Sequence, residues 1–329
     1  MPMTLPSGDP GPKRVILLTP RGFCAGVVRA IDVVKIALSV YQPPIYVRKE
    51  IVHNRHVVDD LRTSGAIFVE ELSEVPEGAR VIFSAHGVSP EVRLQAKERR
   101  LNVIDATCPL VTKVHIEALK FAKQGYTILL IGHREHDEVV GTMGEAPSAT
   151  ILVSDEAEAV TVTVPDPGKV VYLTQTTLSL EETDGIVRRL KERFPKLIGP
   201  PAQDICYATE NRQLAVKAAA GLCDLMLVVG SQNSSNSRRM VEVCRNQGTP
   251  AFLVDDERDV DPVTLEGVRT VVVTAGASAP ENLVNGLVLW LQRHGFSELE
   301  EMEVKQEDVR FSLPPELGKA AAQLTQIAV

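Results

Sequence analysis

Short apolar, β-branched runs recur along nearly the whole chain: Val15–Thr19, Ile45–Val47, Val81–Ser84, Val103–Asp105, Thr127–Ile131, Val170–Thr174, Leu225–Val229, Pro250–Val254 and Thr270–Thr274. Most are continuous rather than alternating, the pattern of strands covered on both faces. Stretches of helical periodicity lie between them, such as the amphipathic run from Ala25 to about Val40. Strands alternating with helices predict βαβ units and parallel sheets, so the expected fold class is α/β.

Three segments share a further layout of strand, short turn, cysteine and helix. The first reads Val15-Ile-Leu-Leu-Thr-Pro-Arg-Gly-Phe-Cys24 and leads into Ala25. The second reads Asn102-Val-Ile-Asp-Ala-Thr-Cys108, with Pro109 at a helix start and Gly125 at its end. The third reads Gln203-Asp-Ile-Cys206 and leads into a helix from Thr209 to about Ala220. The cysteines lie 84 and 98 residues apart, close to the size of a small α/β unit. The layout predicts three related units around a shared centre, each offering one thiol.

A cysteine in the first turn of a helix meets the positive end of the macrodipole, which favours the thiolate, the form that binds metal. Read singly, each of the three would be a small buried hydrophobe. Their threefold repetition points instead to a shared metal site. Three thiolates leave one position of a metal centre open, whether in a cubane iron–sulfur cluster or at a catalytic zinc, and spacing does not separate the two. Cys223, entering the run Leu225–Val229, and Cys244, on an apolar helix face with Met240 and Val241, read as core residues.

The strand ends carry a dense set of neutral and basic polar groups. They read Ile51-Val-His53-Asn54, Ser84-Ala-His86-Gly87, Gly132-His-Arg-Glu-His136-Asp-Glu138, Thr174-Gln-Thr-Thr177, Gly230-Ser-Gln-Asn-Ser-Ser-Asn236 and Ala275-Gly-Ala-Ser278. Ligands of parallel α/β sheets bind beyond the carboxyl ends of the strands, and these hydroxyls, amides and imidazoles resemble an anion cradle. Taken one at a time they are turn formers and helix caps. His53, His86 and His136 are the candidate phosphate donors, while His56, His115, His133 and His294 have weaker claims. Glu138, expected in a turn before Gly141-Thr-Met-Gly144, is the one carboxylate singled out as catalytic. In a closed pocket it would keep a proton and deliver it.

Composition excludes several classes. The 329 residues suit two or three compact units, with 44% apolar and 24% charged content typical of a soluble globular protein. No run approaches the roughly 18 apolar residues of a membrane span. Met1–Lys13 is rich in Pro and Gly and lacks the apolar core of a secretory signal, so it reads as a disordered lead-in and the protein as cytoplasmic. A net charge of −8 and 4% aromatic residues argue against a nucleic-acid partner. Neither a dinucleotide fingerprint nor a nucleotide phosphate loop occurs, so electrons for a redox reaction are expected from another protein.

The ordered motifs Gly22-Phe-Cys24-Ala-Gly-Val-Val-Arg-Ala30, Val52-His53-Asn54, Ser84-Ala-His86-Gly87-Val88, Asp105-Ala-Thr-Cys108-Pro109 and Gly132–Thr142 resemble the 4-hydroxy-3-methylbut-2-enyl diphosphate reductase family. So do Thr174-Gln-Thr-Thr-Leu-Ser179, Cys206-Tyr-Ala-Thr-Glu-Asn-Arg-Gln213, Gly230–Ser237 and Thr274-Ala-Gly-Ala-Ser-Ala-Pro280, so that the likeness runs from about Val15 to Pro315. The resemblance implies three α/β domains in a pseudo-threefold trefoil around a 4Fe–4S cluster with one open iron. It also implies reductive loss of a hydroxyl from an allylic diphosphate to give isopentenyl and dimethylallyl diphosphates, the last step of the non-mevalonate pathway. Cys24, Cys108 and Cys206 would hold the cluster, and the open iron would take the substrate hydroxyl. His53, His86, His136, Thr177, Ser234, Ser235, Asn236 and Ser278 would bind the substrate. Thr176 and Glu138 would contact its hydroxyl end, and a ferredoxin or flavodoxin would supply the electrons. The expected division is a lead-in at 1–13, then a strand and cluster loop at 14–25 associated with the third domain. Domains follow at 26–108, 109–202 and 203–290, with a C-terminal extension at 291–329. Two rival readings are an iron–sulfur dehydratase of a hydroxy acid, which would need an arginine-rich clamp, and a cluster-based redox sensor, which would need neither Glu138 nor the cradle.

Overall fold

The computed structural model describes residues 12–318. The expected lead-in therefore lies outside the described residues up to residue 11, and Lys13 already opens the first strand.

The chain begins with β1 (Lys13–Thr19) and α1 (Ala25–Tyr41). A first run of β2 (Ile45–Arg48), α2 (Arg55–Thr63), β3 (Ala66–Val69), β4 (Arg80–Phe83), α3 (Pro90–Glu98) and β5 (Asn102–Asp105) follows. A second run holds α4 (Pro109–Lys123), β6 (Thr127–Ile131), α5 (Asp137–Glu145), β7 (Thr150–Val153), α6 (Glu156–Thr161), β8 (Val170–Thr174) and α7 (Leu180–Arg193). The last comprises α8 (Tyr207–Ala220), β9 (Leu225–Val229), α9 (Ser235–Asn246), β10 (Ala251–Val254), β11 (Thr270–Ala275), α10 (Glu281–Arg293) and β12 (Phe296–Glu303).

The strands form three all-parallel sheets, ordered β3-β2-β4-β5, β7-β6-β8 and β10-β9-β11-β1-β12. The first strand of the chain thus sits inside the last sheet, between β11 and β12. Each sheet carries an apolar cluster on both faces, which is why its inner strands are continuous apolar runs. All five residues of β9 are buried, and burying each Val or Leu stabilises by about 1.5–3 kcal/mol, so a charge there would break the third unit. Among the described residues, no helix is long and apolar enough to cross a membrane.

Three strands escaped the sequence reading. β3 and β7 are four-residue edge strands with only their end residues buried, too short for a clear run. β12 reads Phe-Ser-Glu-Leu-Glu-Glu-Met-Glu and is almost wholly exposed. Its acidic residues mark it as a charged edge rather than a strand with an apolar face.

Candidate active site

Cys24, Cys108 and Cys206 are the N-cap residues of α1, α4 and α8. Each is held by the same kind of backbone bond. The N–H of Cys24 donates to the Ala277 carbonyl (3.1 Å), that of Cys108 to Ala85 (2.9 Å) and that of Cys206 to Thr176 (3.0 Å). The acceptors all lie in the polar loops that follow β11, β4 and β8. Two of the sulfurs flank Gly26, where an added Cβ would lie 2.8 Å from the Cys108 Sγ and 3.8 Å from the Cys24 Sγ. Only a residue without a side chain leaves that space free.

The helix N-termini do not make the thiols of Cys108 and Cys206 acidic, contrary to the sequence expectation. Burial pushes Cys108 up to about 12 and Cys206 up to about 11, outweighing the N–H groups of Leu110, Val111 and Thr209 that point at the sulfurs. The neighbouring cysteines push in the same direction as burial. Three thiols that line one cavity and would repel one another as thiolates need a compensating cation, and they are the donor set an iron–sulfur cluster or a soft metal requires.

Glu138 lies in the first turn of α5 and not in a turn before it. The glycines that suggested a turn are there for close packing: a Cβ on Gly144 would fall 2.4 Å from that of Ser89. The Glu138 carboxyl is 2% exposed, and burial pushes its pKa up to about 7. Thr176 partly offsets that shift by donating its backbone N–H (2.6 Å) and its hydroxyl (2.9 Å) to the two carboxyl oxygens.

The three candidate histidines meet in one cluster. His53 stacks on His86 with ring centroids 4.0 Å apart, and His136 stands edge-on to both at 5.4 and 5.9 Å. The Nδ1 of His136 accepts from the Glu138 N–H (3.2 Å), so in the neutral ring the proton is on Nε2, which is buried without a partner. Burial, followed by the neighbouring imidazoles, lowers His86 well below its usual value and His136 to about 3. His86 and His136 are therefore neutral N–H donors lining a cavity. His53 is oriented by Glu50, which also accepts from Asn233.

The opposite wall is the N-terminus of α9, capped by Ser234. There Ser235 donates to the Thr177 carbonyl, and Asn236 accepts from the Ala277 N–H while donating to Thr209. Ser278 donates to the His53 carbonyl (2.8 Å), tying the first and third units. All thirteen candidate residues line one cavity: the three cysteines, three histidines, Glu138, Thr176, Thr177, Ser234, Ser235, Asn236 and Ser278. No arginine lines it among the described residues, which counts against a carboxylate-binding dehydratase.

The weaker histidines are occupied elsewhere: His56 with Asp256, His115 with Glu145, His133 with Arg239 and His294 against Trp290. Sequence reasoning passed over Gln175, Thr209 and Tyr207. Gln175 accepts from the His133 N–H and donates to Thr177 (2.8 Å), so it sets the loop that carries Thr176. Thr209 places its hydroxyl 3.2 Å from the Cys206 sulfur. The hydroxyl of Tyr207 accepts from the Ala25 N–H, capping α1 where Cys24 makes no side-chain cap. Their signal was position alone, within one to three residues of a candidate.

The LytB protein family profile matches residues 15–292. The 4-hydroxy-3-methylbut-2-enyl diphosphate reductase of Acidothermus cellulolyticus is 59% identical over 308 residues, covering 93% of this chain and 91% of that protein. The enzyme of the same name from Rhodococcus jostii is 58% identical over 311 residues, covering 94% and 93%. Among solved structures, the E-1-hydroxy-2-methyl-but-2-enyl-4-diphosphate reductase from Plasmodium falciparum superposes with a TM-score of 0.92 at 40% identity, covering 97% of this chain and all of that one. A second reductase structure, described as the terminal enzyme of the non-mevalonate pathway, gives a TM-score of 0.60 at 30% identity, covering 85% and 99%.

Proposed function

The chain belongs to the LytB protein family, and on that premise we propose that it reduces 4-hydroxy-3-methylbut-2-enyl diphosphate to isopentenyl and dimethylallyl diphosphates as the last step of the non-mevalonate pathway. Two electrons and two protons replace the allylic C–O bond by C–H and release one water. The observation that carries the reading is the placement of a buried, protonatable carboxyl in the cavity that also holds three thiols and the histidine cluster.

Cys24, Cys108 and Cys206 would hold a 4Fe–4S cluster. When bound, such a group supplies electrons and a Lewis-acidic iron. The remaining work falls to side chains. His53, His86 and His136 donate N–H groups to the diphosphate, joined by Ser234, Ser235, Asn236 and Ser278 and by the positive end of α9. Binding the remote diphosphate holds the hydroxyl end in place, converting binding energy into orientation. Glu138 retains a proton up to about pH 7 and is bonded through Oε2 to the Thr176 hydroxyl, which can pass that proton to the leaving oxygen. The electrons arrive from a separate carrier protein, a ferredoxin or flavodoxin.

The test is anaerobic incubation of cluster-reconstituted protein with the hydroxymethyl diphosphate and reduced methyl viologen. Five-carbon diphosphate products establish the reaction. Absence of product with the cluster absorbance intact would overturn it.

A further inference from the structure

A carboxylate stands directly behind the histidine cluster. Glu50 lies just beyond β2, three residues before His53, and its Oε2 meets the His53 Nδ1 at 3.1 Å. The same Oε2 accepts the side-chain amide of Asn233 at 2.7 Å, and Asn233 comes from the loop that leads into α9. Glu50 thus fixes a ring of the first unit and is itself held by the third. The hydrogen bond from His53 holds the Glu50 carboxyl below its ordinary value; burial opposes the shift, and Asn233 and Arg62 support it. The carboxyl is therefore ionised at neutral pH, although a negative charge beside an anion cradle opposes binding.

The three imidazoles are not equivalent. His136 accepts a backbone N–H at Nδ1, so its neutral ring carries the proton on Nε2. His86 has the Ser84 hydroxyl 3.4 Å from its Nδ1, and burial holds it neutral as well. His53 is bonded to an acceptor instead. An ionised carboxylate only accepts, so the His53 proton sits on Nδ1 and the Nε2 of its neutral ring is bare. A bare nitrogen repels an anion, and it becomes a donor only in the imidazolium. No lysine or arginine lines the cavity among the described residues. Lys49, whose charge reaches His86, is paired with Asp137, and that carboxylate lies within 4.8 Å of ring nitrogens of both His53 and His86. The Lys49–Asp137 pair cancels, which leaves His53 as the ring of the cluster with a counter-ion bonded to it.

Resting on the reductase reading, which puts a diphosphate in this cavity, we propose that Glu50 is a positioning residue that holds His53 as an imidazolium, with Nδ1–H on the carboxylate and Nε2–H on the diphosphate. Glu50 does not line the cavity and acts through the ring. Asn233 keeps the carboxylate in place from the far wall, and Ser278 ties the His53 backbone to the same unit. The cradle then combines two neutral imidazole donors with one charged donor, whose hydrogen bond to an anion is the stronger kind.

The test is a double-mutant cycle on cluster-reconstituted protein, with inorganic diphosphate as the probe and calorimetry at pH 7 as the readout. Both bonds to Glu50 end on Oε2, so the carbonyl of Glu50→Gln can accept both and only the charge is lost. By plain electrostatics, removing a negative charge beside an anion site strengthens binding. The positioning role has the opposite sign: Glu50→Gln should weaken diphosphate binding by about tenfold. In a His53→Asn background the same change should cause no further weakening. With the hydroxymethyl diphosphate and reduced methyl viologen, Glu50→Gln should raise KM by about tenfold and leave kcat within about twofold, because Glu138 and the thiols are untouched. Unchanged or tighter diphosphate binding in Glu50→Gln overturns the proposal. So does an equal loss in the His53→Asn background, which would make Glu50 a strut between units. A parent that binds diphosphate yet is inert with methyl viologen sinks the reductase reading instead, and the cycle still judges Glu50. A parent with no affinity for diphosphate overturns both.

Discussion

Replacing Glu138 by Gln should uncouple stability from pH at one position while removing turnover. Burial raises this carboxyl from 4.5 to about 7, so ionising it in the folded protein costs about 3 kcal/mol more than in the unfolded chain. A raised folded value gives stability that is complete below the unfolded pKa of 4.5 and lost as pH rises through 7. Gln has the same shape, its carbonyl still accepts the Thr176 N–H, and its amide faces the Thr176 hydroxyl, so no cavity or orphaned donor confounds the comparison. The difference in urea-unfolding free energy between variant and parent, measured on metal-free reduced protein, should be near zero at pH 4.5. It should grow in favour of the variant to about 3 kcal/mol by pH 8. Other titrating groups are common to both proteins and cancel. In the same variant, turnover should fall by about 10²–10⁴-fold, and the parent's kcat should decline about tenfold per pH unit above 7 as its acid ionises. A stability difference that does not change with pH, or a variant with near-normal turnover, would refute the assignment of Glu138 as the buried acid.

Three further outcomes follow from the same geometry. Gly26→Ala adds a better helix former, worth about 1 kcal/mol in α1, yet sets a methyl 2.8 Å from the Cys108 sulfur. Metal-free protein should melt no lower than the parent while iron loading, read from visible absorbance per chain, drops severalfold; full loading would show that the thiols gather elsewhere. His136, held neutral because burial lowers it to about 3 and because its Nδ1 accepts the Glu138 N–H, can offer Nε2–H to an anion. His136→Asn should weaken inorganic diphosphate binding at pH 7 by about tenfold in calorimetry, and unchanged affinity would show that this N–H does not meet the anion. Glu307→Ala strips the fully buried Arg212 of its carboxylate partner (3.0 Å) and should cost about 3–5 kcal/mol in urea unfolding; a loss under 1 kcal/mol would show water already screens that charge.

Much of this architecture was legible from pattern. Continuous runs such as Leu225–Val229 and Thr127–Ile131 coincide with β9 and β6 because strands buried on both faces leave no room for polar alternation. Pro109 begins α4 because the missing N–H of proline costs nothing in a first helical turn. Edges were not legible: β12 is stabilised by pairing with β1 over seven residues, and its acidic sequence reports only its exposure. The cavity lining was legible as a set of residue types at strand ends, whereas its division of labour was not. That His136 caps α5 through Nδ1, and so turns Nε2–H into the cavity, depends on a backbone N–H two residues on, which no spacing rule encodes.

The placement of the cysteines gives the sharpest contrast between local and tertiary physics. Reasoned locally, a helix N-terminus lowers a thiol's pKa. In the folded chain, burial overrides that effect, and Cys108 rises to about 12 despite the two N–H groups aimed at it. The helix starts therefore serve position more than acidity. Each cysteine donates its N–H to the carbonyl of a loop that also carries a cradle residue: Ala85 beside His86, Ala277 beside Ser278, and Thr176 itself. The same three hydrogen bonds set where the cysteines stand and where the polar residues of the cavity stand. A shift of any one loop moves a thiol and a cavity residue together, so the proposed metal site and the proposed diphosphate cradle hold a fixed separation, as a reaction at one end of a small molecule held by the other would require.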